Sequence, residues 1–99
     1  MKEIKVKTKS GYKAEINPRI LEDWDFLEII ASAESDDVRE QLNATIRLIN
    51  MLFKDKKDDY MSFLRSHNDG IADVDVIKDD VLAIIEQVKA LKNSSSSEE

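Results

Sequence analysis

Apolar and polar residues alternate from residue 4 to residue 16, with the two-residue period of a β-strand that has one buried face. The alternation stops at Ser10-Gly11 and then resumes, so it predicts a β-hairpin. A two-residue loop would place the apolar residues of the two strands on opposite faces. A three-residue loop, Lys9-Ser10-Gly11 with Gly11 in the left-handed conformation, keeps them on one face. This loop predicts the cross-strand pairs Thr8 with Tyr12, Val6 with Ala14, Ile4 with Ile16, Lys5 with Glu15 and Lys7 with Lys13.

After the hairpin, apolar residues recur at helical spacing in four stretches. Asn17-Pro18 is typical of an N-cap followed by proline at the first helical position, so the first helix is expected to begin at Pro18. The second helix should follow the acidic break at 34–37 and run to about Phe53. A short third helix at about 60–64 should end before Asn68-Asp69-Gly70, and the last helix should begin near 73–75.

These elements predict an α+β fold, mostly α, in which an N-terminal β-hairpin packs on a small bundle of about four helices. A lone hairpin is marginal in water, so its apolar face must lie against the helices. One globular domain is expected at 1–92, followed by a disordered Ser/Glu tail at 93–99. The residues at the centres of the apolar stripes are predicted to form the core, and they are Val6, Trp24, Leu27, Leu42, Ile49, Ile84 and Val88.

Charge and composition narrow the classes of partner. The chain has 99 residues and a net charge of −6. Residues 1–16 are basic, so the remainder is strongly acidic and repels the phosphates of nucleic acid. No apolar run approaches the ~18 residues of a membrane span, and the N-terminus lacks the apolar region of a signal peptide. Because the body of the chain is acidic and no apolar run is long enough, neither nucleic acid nor a membrane is expected as a partner. The absence of cysteine fits a reducing compartment.

The residues that catalysis or metal binding would need are scarce. His67 is the only histidine, and the only glycines, Gly11 and Gly70, lie in separate turns, so catalytic triads and phosphate-binding loops are not expected. Asn68-Asp69-Gly70 imitates part of a calcium loop. The matching first and last ligand positions would be Arg65 and Val76, which supply no carboxylate. The sequence therefore predicts no enzyme activity, no cofactor and no metal site.

The apolar stripes of the first two helices are wider than one helix face, so they hold more apolar residues than the core needs. The surplus residues are expected to form an interaction surface. Met51 and Phe53 extend the pattern at the end of the second helix, and adaptable or aromatic side chains suit binding surfaces. With Phe26 and Ile29 of the first helix, they are the predicted partner-binding residues. Trp24, in contrast, is predicted to be core.

The order of the motifs resembles a known family. Lys-Ser-Gly-Tyr at 9–12 is followed by Ile-Asn-Pro at 16–18 and by Leu-Glu-Asp-Trp-Asp-Phe-Leu-Glu at 21–28. A second apolar helix then ends in Ile-Asn-Met-Leu-Phe at 49–53, before a Tyr-x-x-x-x-Leu-Arg segment, an Asp-Gly turn and a last amphipathic helix. In this order, over about residues 4–92, the chain resembles the tail assembly chaperones of long, non-contractile-tailed bacteriophages of Gram-positive hosts.

The resemblance implies a function that uses no cofactor. Such a protein coats the helical tape measure protein before the tail tube polymerises around it, and it self-associates into curved or helical assemblies. It would act in the host bacterial cytoplasm and be absent from the mature virion. The alternative is a small acidic regulatory or anti-host protein that acts by DNA mimicry, which rests on the acidic body of the chain.

Overall fold

The structure, a computed structural model, describes residues 3–97, with side chains described for 3–91. The helices and strands, in chain order, are β1 (Ile4–Lys7), β2 (Lys13–Ile16), a 3₁₀-helix (Pro18–Glu22), α1 (Trp24–Ala33), α2 (Val38–Phe53), a second 3₁₀-helix (Lys54–Lys56), α3 (Lys57–Ser66) and α4 (Val74–Ser97). The predicted class is confirmed, because the fold is α+β and mostly helical, with an N-terminal antiparallel hairpin.

The hairpin has the predicted register. The cross-strand pairs of β1 and β2 are Ile4 with Ile16, Lys5 with Glu15, Val6 with Ala14 and Lys7 with Lys13. Gly11 has φ 105°, a backbone conformation open chiefly to glycine, and its N–H donates to the Thr8 carbonyl at 3.0 Å. The Thr8 N–H donates to the Tyr12 carbonyl at 2.8 Å. The observed loop and buried face are therefore those predicted from the parity of the apolar residues.

The first predicted helix is two helices. Asn17 caps the segment as expected, accepting from the Arg19 N–H at 3.0 Å, but the turns that follow Pro18 are 3₁₀ and end at Glu22. Asp23 is extended, and its carboxylate accepts from the Phe26 N–H at 3.3 Å as the N-cap of α1. A short side chain that bonds the backbone offers it an alternative to continuing the helix. The predicted continuous helix from Pro18 is therefore wrong.

The later boundaries follow their caps. Asp37 caps α2 by accepting from the Arg39 N–H at 2.9 Å, and Asp73 accepts from the Asp75 N–H at 2.8 Å at the start of α4. Helix α2 ends at Phe53, as predicted. The backbone of α4 is helical to Ser97 and so overlaps the tail predicted at 93–99. Residues 98–99 of that tail lie outside the described residues.

The core is one cluster between the inner face of the hairpin and the helices. Its buried apolar residues are Val6, Tyr12, Ile16, Phe26, Ile29, Ala44, Leu48, Ile49, Leu52, Phe53, Tyr60, Leu64, Ile77, Val81, Ile84, Ile85 and Val88. The core prediction is confirmed for Val6, Ile49, Ile84 and Val88. It is wrong for Trp24, Leu27 and Leu42, whose exposed fractions are 71%, 50% and 37%.

The wrong core residues of α1 have a common physical cause. The predicted stripe assumes one continuous α-helix that begins at Pro18. The 3₁₀-helix has 3.0 residues per turn rather than 3.6 and is followed by the extended residue Asp23, so the phase is lost before α1 begins. Helix α1 consequently turns Phe26 and Ile29 inward and leaves Trp24 and Leu27 in solvent.

Candidate protein-binding surface

Helix α1 presents one apolar face to the core and another to solvent. Trp24, Leu27 and Ala31 follow one another at spacings of three and four residues, so they share a side of the helix, and all three are exposed. Phe26 and Ile29 lie on the buried side. The exposed side of α1 is therefore an apolar stripe without a partner among the described residues.

Helix α2 carries a longer stripe that leaves the core halfway along. Val38, Leu42, Ile46, Ile49 and Phe53 follow one another at spacings of four, four, three and four residues, and so they share one face. Ile49 and Phe53 are buried, whereas Val38 and Ile46 are 64% and 55% exposed. The N-terminal half of the stripe has the composition of the core but is exposed.

We call the exposed apolar residues of these two neighbouring helices the α1–α2 surface, which comprises Trp24, Leu27, Ala31, Val38, Leu42 and Ile46. Helices α1 and α2 are the most extensively packed pair of elements in the fold. Single exposed apolar side chains are ordinary, but stripes at helical spacing on adjacent helices are typical of a binding surface.

The predicted partner-binding residues are mostly inside the fold. Phe26, Ile29 and Phe53 are buried, and Met51 is half-buried against the core. The Phe53 ring stacks on Tyr60 with centroids 4.3 Å apart and meets the edge of Tyr12 at 5.9 Å. In this arrangement a partner reaches these three buried side chains only if the core opens. The exposed apolar residues of α1 and α2 are on the other faces of these helices.

A buried polar network holds the hairpin against α4 and α3. Asp80 is fully buried, and its carboxylate accepts from the Ser10 N–H at 2.8 Å, the Ser10 hydroxyl at 2.6 Å and the Tyr60 hydroxyl at 2.6 Å. Burial, followed by the hydrogen bond and negative charge of Asp80, raises the pKa of Tyr60 far above its ordinary value. Asp80 thus ties the hairpin loop to two helices.

This network was not predicted from the sequence. Adjacent acidic residues in a helix are usually solvated, but Asp80 is fully buried. Asp79 is exposed and lies 3.7 Å from the Lys9 ammonium, whereas Asp80 points inward. Position 80 is three residues after Ile77 and four before Ile84, both buried, so its place on the apolar face of α4 was readable from spacing.

The outer edge of β1 is covered by α4. The Gln87 amide accepts from the Lys7 N–H at 3.1 Å and donates to the Lys7 carbonyl at 2.6 Å, as a neighbouring strand would. A side chain in this position blocks strand addition at Lys7, the C-terminal end of β1.

Groups that could perform chemistry are dispersed. An open groove of about 840 Å³ runs beside the hairpin, and lysines and carboxylates alternate around it without converging. His67 ends α3, as expected of a polar residue at a helix end, and its Nδ1 lies 2.8 Å from the Phe63 carbonyl oxygen. Among the described residues, no group of three or more histidine, cysteine or acidic side chains is placed to hold a metal ion.

Comparisons of the chain with protein-family models, with curated proteins and with solved structures each find no match. In the described part of the chain, no helix has the length and apolar character that a membrane span requires. The α1–α2 surface is therefore the candidate site, on its geometry alone.

Proposed function

We propose that this protein is a phage tail assembly chaperone that binds the tape measure protein and self-associates during tail assembly. The observation that carries the proposal is the α1–α2 surface, where apolar stripes at helical spacing remain in solvent. The order of motifs along the chain, which resembles that family, supplies the identity of the partner. We propose a binding role in the host cytoplasm, with no cofactor and no reaction.

The proposed mode of binding is helix against helix. An amphipathic helix recognises a surface through residues at i, i+3, i+4 and i+7, which matches the spacing of the α1 and α2 stripes. A tape measure protein offers many helical segments in a row. Self-association along such a partner would let weak individual contacts act together, because neighbouring subunits raise each other's effective concentration.

Co-expression with a phage tape measure protein from the same genome tests the proposal. The native pair should co-purify, and Leu27→Glu should abolish co-purification while leaving the circular dichroism spectrum unchanged, because Leu27 is half exposed. Leu82→Glu is the matched control, since Leu82 is an equally large residue on α4 that is 58% exposed. Co-purification that survives Leu27→Glu, or that fails equally with Leu82→Glu, would count against the α1–α2 surface.

DNA mimicry is the second candidate, and it rests on exposed carboxylates in α1 and α2 that have no cationic neighbour. A mimic must present these charges as a regular phosphate-like row, and large apolar side chains interrupt the row here. If the chain displaces DNA from a DNA-binding host protein and does not co-purify with a tape measure protein, mimicry replaces the chaperone proposal.

A further inference from the structure

The α1–α2 surface combines its apolar residues with an unusual density of negative charge. Residues 23–46 carry seven carboxylates against a single arginine, a net −6 that equals the net charge of the whole chain. These acidic residues are Asp23, Asp25, Glu28, Glu34, Asp36, Asp37 and Glu40. All seven are exposed, so the charge of the protein is concentrated where its unpartnered apolar side chains are.

These carboxylates have no cationic partners within the described side chains. None of the seven lies within 4.0 Å of a lysine or arginine nitrogen in residues 3–91, where the ion pairs are Lys9 with Asp79 and Arg19 with Glu22. Two of the seven, Asp23 and Asp37, cap helices, which uses a lone pair but does not neutralise the charge. Asp25 and Glu28 lie beside Trp24 and Leu27 in sequence, on the solvent side of α1.

The charge decides among possible occupants of the surface. A second copy of the chain docking through the same residues would bring two −6 segments into contact, and like-charge juxtaposition costs several kcal/mol. An acidic partner helix meets the same repulsion. A partner with lysine and arginine beside its apolar residues gains attraction at each carboxylate and buries the stripes.

We propose that the α1–α2 surface binds an amphipathic helix whose apolar face is flanked by basic residues. This inference rests on the proposed function in that the partner is a protein helix, and it adds the chemistry by which that helix is recognised. It also places self-association on a different part of the chain. Basic flanks would speed encounter with the surface, and the apolar stripe would hold the bound helix.

Three synthetic helices with no tryptophan test the proposal against the full-length chain. The first has leucines at i, i+3, i+4 and i+7 with lysine flanks, the second replaces the lysines by glutamates, and the third keeps the lysines but scrambles the leucines. Trp24 is the only tryptophan in the chain and lies on the surface, so a blue shift and reduced quenching of its emission report binding directly.

The lysine-flanked amphipathic helix should bind, and the affinity of each of the other two should be lower by at least about tenfold. Its affinity should fall as salt is raised from about 0.05 to 0.5 M, because exposed charges are screened over shorter distances. Equal binding of the glutamate-flanked helix would overturn the inference. Equal binding of the scrambled helix would also overturn it, because charge alone would then explain the association.

Charge-neutral variants supply the matched control. Asp25→Asn with Glu28→Gln removes two carboxylates from the surface, and Asp58→Asn with Glu86→Gln removes two exposed ones from α3 and α4. The first pair should weaken binding of the lysine-flanked helix several-fold, whereas the second pair should leave it within about twofold. Equal effects of the two pairs would show that only overall charge matters, which contradicts a localised site.

The outcome is separable from that of the proposed function. If the tape measure protein co-purifies but the lysine-flanked helix does not bind, the function stands and the inference fails. If the lysine-flanked helix binds with the expected salt dependence while the tape measure protein does not co-purify, the surface recognises basic helices and the identity of the partner is wrong.

Discussion

The hydrogen bond between Tyr60 and Asp80 should contribute more to stability than any other single hydroxyl contact in the described structure. Both residues are fully buried, and the Tyr60 hydroxyl lies 2.6 Å from an Asp80 carboxylate oxygen. Tyr60→Phe deletes only that hydroxyl and keeps the ring that stacks on Phe53 at 4.3 Å. A hydrogen bond to a charged group contributes about 1.5 to 3 kcal/mol, so the free energy of unfolding should fall by about 2 kcal/mol.

Urea denaturation followed by circular dichroism measures this change, with an unchanged m-value as the sign that both states keep their compactness. In thermal unfolding, about 2 kcal/mol corresponds to a decrease of roughly 8 to 16 °C in Tm for a domain of this size. Tyr12→Phe is the matched control, because the Tyr12 hydroxyl donates to Asp59 at 2.7 Å and Asp59 is exposed. Its cost should stay near 0.5 to 1 kcal/mol, roughly that of a solvated bond.

A double-mutant cycle identifies the cause of the effect. In an Asp80→Asn background the acceptor is no longer charged, so the cost of Tyr60→Phe should fall by at least about 1 kcal/mol. Equal costs for Tyr60→Phe and Tyr12→Phe, or an unchanged cost in the Asp80→Asn background, would refute the reasoning that a buried carboxylate strengthens this bond.

Three further predictions follow from burial and charge. Trp24→Ala should change the free energy of unfolding by less than about 1 kcal/mol, as expected for a side chain that is 71% exposed, and chemical denaturation measures it. Phe53→Glu should abolish the cooperative thermal transition, because it buries an unpaired charge, whereas Ile46→Glu on the same stripe should retain the transition. Burial raises the pKa of Tyr12 from 10.0 to about 12, with help from Asp59, so the unfolded state releases this proton first as pH rises. Stability should be fully present below pH 10 and decrease between about pH 10 and 12, and Tyr12→Phe should reduce that slope; an equal slope in the variant would contradict the assignment.

The local elements of this protein were readable from its sequence. Parity of the apolar residues allowed only one hairpin loop to keep them on one face, and the register that follows is the one observed. Asn17 and Asp37 marked helix starts because their side chains bond the first free N–H groups of the turn. These features depend on neighbours within a few residues, so the sequence contains the information that decides them.

The candidate site was readable only in part. The excess of apolar residues on the first two helices pointed to the helices that carry the α1–α2 surface. Within α1, however, Trp24 with Leu27 and Phe26 with Ile29 are stripes of similar hydrophobicity, and composition does not decide which of them turns inward. The phase of the helix decides it, and that phase is set by the 3₁₀-helix that ends at Glu22 and by the extended residue Asp23.

Tertiary structure also decided two features that depend on distant contacts. Asp80 is buried because Ser10 and Tyr60, which are far apart in sequence, supply three hydrogen bonds to its carboxylate, and a buried charge persists only with such partners. The α2 stripe is covered at Phe53 by aromatic rings from the hairpin and α3, whereas Val38 on the same stripe is exposed. Local residues thus decided the hairpin register and the capped starts of α2 and α4, because those features depend on near neighbours. The break at Asp23 and the packing of the elements decided which apolar residues remain available to a partner.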